Sequence, residues 1–254
     1  MPTPRFTGIT IVDGPLGSGK SYYAVRLLEE ALWRGRPVST NVELVEDWAD
    51  IIARHRILVG PNREQRRQAH AQRMRSLYYY SDDVVDVLYA DIEWPDGRAI
   101  KENDGLMVID EAHSVLNNRL FAEEGRKELV DRIRQLRKRG WECDVITQHV
   151  ESVDKHVRDA GTYRVELVNW KRRYWWFPFN LFLALRFFAG DKTAGKGRKP
   201  MERSLYRMDV YIASLYNTMG LFGYERTPNT ARRRVTLPLA PLAPAQLASR
   251  GEGA

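Results

Sequence analysis

Near the amino end, Gly14 to Ser21 read GPLGSGKS and fill every fixed position of the pattern G-x-x-x-x-G-K-[ST]. Gly14, Gly17 and Gly19 allow the backbone to turn tightly and aim its N–H groups at phosphate oxygens. Pro15, Leu16, Ser18 and Tyr22 complete the stretch expected to line the ligand. Lys20 is placed to reach β- and γ-phosphates, and the Ser21 hydroxyl to ligate Mg²⁺. The chemistry implied is binding of a nucleoside triphosphate, ATP, with its metal. A glycine-rich turn that merely caps a helix is the plainer alternative, and the complete match argues against it.

A second group lies mid-chain, where the apolar run Leu106–Ile109 feeds into Asp110 and Glu111. Acids at the carboxyl end of a buried strand have the character of a Walker B motif. Asp110 is expected in the Mg²⁺ shell, and Glu111 is expected to orient or deprotonate an attacking water. The same pair could instead cap a following helix. A third candidate is Gln148, at the end of CDVIT (143–147), where an amide can sense a γ-phosphate or position water; a loop-facing amide is the alternative.

These residues need elements to carry them, and the flanks supply the elements. Gly8 to Val12 is a β-branched run before the glycine loop. Ser21 to Arg34 has helical spacing, with Ala24, Leu27, Leu28, Ala31 and Leu32 on one face. Strand, loop and helix therefore follow in the required order. PVSTNV (37–42) reads as a second strand ending in the polar Asn41. Val45–Ile57 reads as a helix using Trp48, Ile51 and Ile52. The polar run through 61–75 reads as an exposed helix or arm whose charges are solvated, with a nucleic-acid contact the lesser alternative, and Tyr78, Tyr79 and Tyr80 after it as aromatic rings more suited to burial than to base stacking. PDG (95–97) and NDG (103–105) suggest a hairpin or lid. Glu123–Arg139 is predicted as a charged helix buried through Leu129, Ile133 and Leu136, with Arg132 among the outward charges. Val153–Ala160 reads as a short helix and Tyr163–Trp170 as a strand.

Bulk properties set the outer limits. The chain has 254 residues, 40 Lys and Arg against 33 Asp and Glu, and a net charge of +7. That length suits one sizeable α/β domain with appendages, and the charge permits contact with DNA or an anionic membrane without requiring either. The lone cysteine, Cys143, excludes an internal disulfide, so folding in the cytosol is expected. Met1–Phe6 lacks the layout of a signal peptide, and no apolar stretch reaches the length of a spanning helix.

The carboxyl-terminal third differs in composition. KRRYWWFPFNLFLALRFFAG (171–190) sets a basic cluster before aromatic and aliphatic residues. Trp175, Trp176, Phe177 and Phe179 suit either an interfacial membrane contact or strands covering a sheet edge or subunit interface. Residues 191–200 read as a basic loop, and Arg207–Tyr216 as a helix using Met208, Ile212 and Leu215. The prolines beyond Tyr224 suggest an extended or disordered tail. The organisation expected is a P-loop core over 1–170, an aromatic and basic appendage over 171–224, and the tail over 225–254.

GSGKSYYAV (17–25), VSTNV (38–42), MVIDEAH (107–113), Arg119, LRKRGWECDVITQ (136–148) and VDKHVRD (153–159) together resemble the zonular occludens toxin-like (Zot) family. These are assembly ATPases of filamentous phages related to the FtsK/HerA group of DNA-pumping motors. The resemblance implies an α/β, RecA-like P-loop fold with a mostly parallel sheet. It implies Lys20, Ser21, Asp110, Glu111 and Gln148 in the site, and ATP hydrolysis that drives phage DNA packaging or extrusion at the host inner membrane. DNA, other virion or assembly proteins and further copies in a homo-oligomeric ring are the implied partners. Family members usually continue into a spanning helix that is not found in this sequence, so the expected location is the host cytoplasm, peripheral to the inner membrane or with the virion. A genome-packaging ATPase of a membrane-containing virus is the second expectation, and a nucleotide-gated scaffold with incidental hydrolysis a third. DEAH at 110–113 invites a helicase reading, but there is no room for a second motor lobe. A ring would need an arginine offered to the neighbouring site, with Arg119, Arg139, Arg158 and Arg164 as candidates.

Overall fold

The computed structural model describes residues 8–94, 96–112, 116, 123–173, 181–189, 199–216 and 236–238. The β-branched run after Gly8 forms strand β1 (Ile9–Asp13), buried at every position. A strand covered on both faces belongs inside a layered α/β domain, and its neighbours are parallel to it on either side. The glycine loop follows, then helix α1 (Lys20–Trp33).

Eight strands make the main sheet, in the order β3 (Tyr78–Tyr80), β2 (Val38–Thr40), β5 (Gly105–Ile109), β6 (Trp141–Thr147), β1, β7 (Tyr163–Asn169), β8 (Leu181–Phe188) and β9 (Glu202–Arg207). The pairs from β3 through β7 are parallel, whereas β8 and β9 are antiparallel additions. β6 lies between β1 and β5. Whatever follows β6 therefore stands between the glycine loop and the acids that follow β5.

Side chains alternate across the strands, and the register assigns each face its helices. Leu106, Glu142 and Asp144 share one face with Tyr23, Leu27 and Ala31 of α1, around a small cavity of about 40 Å³. On the other face, the Ser39 hydroxyl donates to the Val87 carbonyl at 3.0 Å, in helix α4 (Val84–Tyr89). Trp141 Nε1 donates to the Ala90 carbonyl just beyond it at 3.0 Å. Helix α5 (Glu123–Gln135) buries Leu129 and Ile133, and Leu136 is buried just beyond it. Arg132, expected outside, is buried too. Its guanidinium donates to the Leu88 and Ala90 carbonyls at 2.8 and 2.9 Å, satisfying acceptors left open at the end of α4. Helix α6 (Lys155–Ala160) leads into β7.

Helix α2 (Trp48–Arg56) begins later than the apolar spacing suggested. The basic segment after it is the regular helix α3 (Arg63–Leu77), which buries Ala71, Met74 and Leu77. Its arginines serve the fold: Arg67 donates to the Ile57 carbonyl at 3.0 Å, and Arg75 pairs with Asp50. Tyr78 packs on Trp48 with ring centroids 5.0 Å apart. Among the described residues of 91–105 there is no hairpin. They contain β4 (Asp91–Glu93), paired in parallel with β10 (Thr236–Pro238).

Lys171–Gly190 enters the description in two pieces. Helix α7 (Trp170–Arg173) follows β7, and β8 then continues the main sheet, with Phe182, Ala184 and Phe187 buried. Trp175, Trp176, Phe177 and Phe179 lie outside the described residues. Among the described residues no helix is long and apolar enough to cross a membrane. Helix α8 (Val210–Ala213) is shorter than expected and buries Ile212, with Leu215 buried after it and Met208 left 37% exposed.

Candidate nucleotide site

Helix α1 starts without a side-chain cap and without an acidic residue in its first turn. Its first N–H groups are therefore left for an outside anion, and the helix dipole favours negative charge there. Gly19 has φ +95, and a Cβ on it would come within 2.5 Å of the Phe182 ring. A Cβ on Gly14 would meet Ser18 Oγ at 2.6 Å and the Leu167 carbonyl at 2.7 Å. The loop can pass between α1, β7 and β8 only with glycine at these two places. Leu16 stands at its tip, 70% exposed.

Lys20 is buried, and its ammonium donates to the Gly14 and Pro15 carbonyls at 2.8 and 3.3 Å. Burial holds its pKa below the usual lysine value, against the pull of Glu111, Asp110 and Asp13. Burial likewise pushes the Asp110 carboxyl up, with the Glu111 charge adding to the effect. Both groups are thus forced toward neutrality. A triphosphate would add anionic charge at Lys20 and a divalent cation positive charge at Asp110, each offsetting the burial, so the residues present fit that ligand pair.

The two motifs meet. Ser21 Oγ donates to Asp110 Oδ2 at 3.3 Å, linking the first turn of α1 to the end of β5. No cluster of three or more His, Cys, Asp or Glu suited to a metal occurs among the described residues. One hydroxyl and one carboxylate are the set expected for Mg²⁺, which takes few protein ligands and completes its shell with phosphate and water. Glu111 follows at φ +50, exposed, with Gln148 Nε2 3.5 Å from its Oε1. The place of β6 in the sheet brings these two together.

Tyr22 is arranged differently from expectation. Its ring is buried and stacked on Phe182 and Tyr206, with centroids 5.4 and 6.0 Å away, and its hydroxyl accepts from the Asp209 N–H at 2.9 Å. The side chain anchors the C-terminal segment to α1, leaving only backbone for a ligand.

Other residues hold the site from behind. The Asn41 amide accepts from the Asp110 N–H at 2.8 Å and donates to its carbonyl at 2.9 Å. Asn169 Nδ2, at the end of β7, donates to the Gly17 carbonyl at 3.2 Å. Arg164 Nε and Nη2 donate to the two oxygens of Asp13 at 2.8 and 2.7 Å. The sequence hinted at Asn41 as a polar residue closing a strand; Asn169 occupies the same kind of place.

Of the arginines considered for a neighbouring site, Arg164 is thus engaged within its own chain. Arg139 pairs with Asp91 at 2.9 Å, before β6 begins. Arg158 is half-buried, its Nε without a hydrogen-bond partner among the described residues. Arg119 lies outside them.

A mostly parallel sheet with a glycine loop after β1 and acids after β5 defines a P-loop nucleotide-binding domain. Residues 8–174 match the family described as Zonular occludens toxin (Zot), and the chain belongs to that family. It is similar to the Gene 1 protein of Salmonella phage IKe, 27% identical over 152 residues, covering 60% of this chain and 37% of that one. The Gene 1 protein of Enterobacteria phage I2-2 is 26% identical over 152 residues, with the same coverage. The chain thus spans less than two fifths of the length of these curated relatives. Among solved structures, one described as an ATPase domain aligns over 84% of this chain and 86% of its own at 9% identity and a TM-score of 0.50, a likeness of fold.

Proposed function

We propose that this chain is an ATP-hydrolysing motor domain for phage assembly, acting in the packaging or extrusion of phage DNA at the host inner membrane. The observation that carries the hydrolase part is the Ser21–Asp110 contact, which joins the phosphate loop to the acid pair. Lys20 and the α1 N-terminus bind the phosphates. Ser21 and Asp110 would hold Mg²⁺, which when bound neutralises phosphate charge. Glu111, steadied by Gln148, orients and deprotonates the attacking water.

The assembly part draws on kinship with the Gene 1 proteins of phages IKe and I2-2. A net charge of +7 suits transient contact with DNA or anionic lipid. A homo-oligomeric ring, in the host cytoplasm against the inner membrane, is the arrangement in which such a domain does work on a polymer. Arg119, Arg139, Arg158 and Arg164 are the arginines to test for a role at a neighbour's site.

Measurement of ATP turnover with and without DNA and liposomes tests the proposal. Turnover that DNA or lipid stimulates and that Lys20→Ala or Glu111→Gln abolishes is expected. A wild-type chain with no affinity for Mg²⁺·ATP would overturn it. Virion assembly that continues with Glu111→Gln would point to a scaffold in which hydrolysis is incidental.

A further inference from the structure

We infer that Asn41 is a positioning residue for the acid pair: its side-chain amide clamps the Asp110 backbone and thereby sets where the Glu111 carboxylate stands. The inference rests on the hydrolase reading above and adds a residue to it.

Asn41 lies one position beyond β2, where backbone pairing with β5 ends at Thr40 opposite Val108. Its amide carries the ladder one step further. Oδ1 accepts from the Asp110 N–H at 2.8 Å and Nδ2 donates to the Asp110 carbonyl at 2.9 Å, so one side chain holds both backbone groups of one residue. This fixes the peptide planes where the chain leaves the strand. The next residue, Glu111, has φ +50, a left-handed conformation that a residue with a Cβ keeps only where its surroundings impose it.

The clamp is braced in turn. The Val42 N–H donates to Thr40 Oγ1 at 3.0 Å, and the Tyr78 hydroxyl donates to the Val42 carbonyl at 2.6 Å. These contacts keep the turn after β2 from following Asp110 if the corner moves. Asn41 holds Asp110 by its backbone alone, leaving the carboxylate to Ser21, and touches neither Ser21 nor the loop carbonyls that hold Lys20. Its effect should therefore fall on the chemical step through Glu111 and leave nucleotide binding nearly intact. Aspartate at this position keeps the acceptor, loses the donor and adds a negative charge beside two others.

The test compares wild type, Asn41→Ala, Asn41→Asp and Ser39→Ala by steady-state ATP hydrolysis, Mg²⁺·ATP titration and thermal unfolding. Ser39→Ala removes a buried hydrogen bond from the same strand, to the Val87 carbonyl, away from the site. Both Asn41 variants should lose kcat by about tenfold to a hundredfold while KM and Mg²⁺·ATP affinity change by less than about threefold. Ser39→Ala should lower Tm and keep kcat. Asn41 variants with kcat near the wild-type value, or with a loss that Ser39→Ala matches at equal Tm, would overturn the assignment. A folded wild type that binds Mg²⁺·ATP yet does not hydrolyse it would overturn the hydrolase reading, and the role of Asn41 with it.

Discussion

The Ser21 hydroxyl and the Asp110 carboxylate stand 3.3 Å apart although 89 positions separate them in the chain. Ser21 lies in the first turn of α1 and Asp110 directly follows β5, so the bond exists only because the sheet brings both carboxyl edges level. Removing the hydroxyl should weaken nucleotide binding only where the metal takes part. Ser21→Ala is expected to cost about tenfold to a hundredfold in affinity for Mg²⁺·ATP, the scale of one charge-assisted hydrogen bond or ligand. Affinity for ATP in the presence of a chelator should be nearly unchanged. Titration of a fluorescent ATP analogue with and without Mg²⁺ reads the difference.

Asp110 gives this metal dependence a pH signature. Its pKa is raised, burial being the main cause and the Glu111 charge a second. A protonated carboxyl cannot ligate a cation, so Mg²⁺·ATP affinity should climb as pH rises toward the raised value and level off above it. Without metal the sign is opposite. A carboxyl with a raised folded-state pKa contributes stability on the acid side that is lost as pH rises through that pKa. Asp110→Asn should flatten both curves, which binding and melting across the acidic range would show.

A second buried acid acts on stability alone. Asp144 is 4% exposed on the α1 face of β6, beside Tyr23, Glu142, Arg36 and Arg186. Burial and the neighbouring Glu142 raise its pKa to about 7, against the pull of Arg186 and Arg36. The folded protein holds this proton where the unfolded chain releases it. Stability should therefore fall between about pH 4 and pH 7, by up to about 1.4 kcal/mol per pH unit from this group, and level off above. Asp144→Asn should raise Tm at pH 8 and remove that slope. Arg36 and Arg186 keep Glu142 and Glu202 as partners in the variant.

Much of this site could be read in the sequence because its parts are local. The glycine loop, the apolar run before Asp110 and the β-branched flanks each announce themselves over a few residues. What could not be read depends on partners far along the chain. Asn41 and Asn169 act through single amides on the backbone of distant segments, which leaves no spacing to recognise. The apolar face of α3 is hard to read because Ala71, Met74 and Leu77 are interleaved with Arg73 and Arg75, which mask a helical apolar spacing. Tyr22 reads as part of the ligand site by adjacency, but β8 and β9, whose aromatic composition is ambiguous, supply Phe182 and Tyr206 to bury it.

Arg164 and Asp13 offer a test between two roles for one arginine. The guanidinium makes two parallel bonds to a carboxylate that is largely buried at the end of β1, immediately before Gly14. A brace in the same chain should matter for folding. Arg164→Ala should lower stability by about 1–3 kcal/mol and weaken ATP binding with it. Lysine should not restore the loss, since it lacks the forked geometry. An arginine acting on a neighbour's phosphate would behave otherwise, leaving Tm and binding intact while hydrolysis fails. Thermal unfolding and ATP titration of Arg164→Ala and Arg164→Lys distinguish the two.

The passage of the loop beneath β8 gives the last prediction. At Gly19 a methyl group would be strained twice, once by φ +95 and once by the Phe182 ring 2.5 Å away. Gly19→Ala should therefore abolish detectable ATP binding and lower Tm. Phe182→Ala alone removes the ring that stacks on Tyr22 and should cost about 3–5 kcal/mol of stability, as for other buried aromatic truncations. In the double variant the steric part of the Gly19 penalty disappears because the ring is gone, but the backbone part stays, at about 1–2 kcal/mol for a left-handed residue with a Cβ. The two substitutions should thus be less harmful together than their separate effects predict, a coupling that a double-mutant cycle on Tm measures directly. Strict additivity would mean that the loop does not run against Phe182.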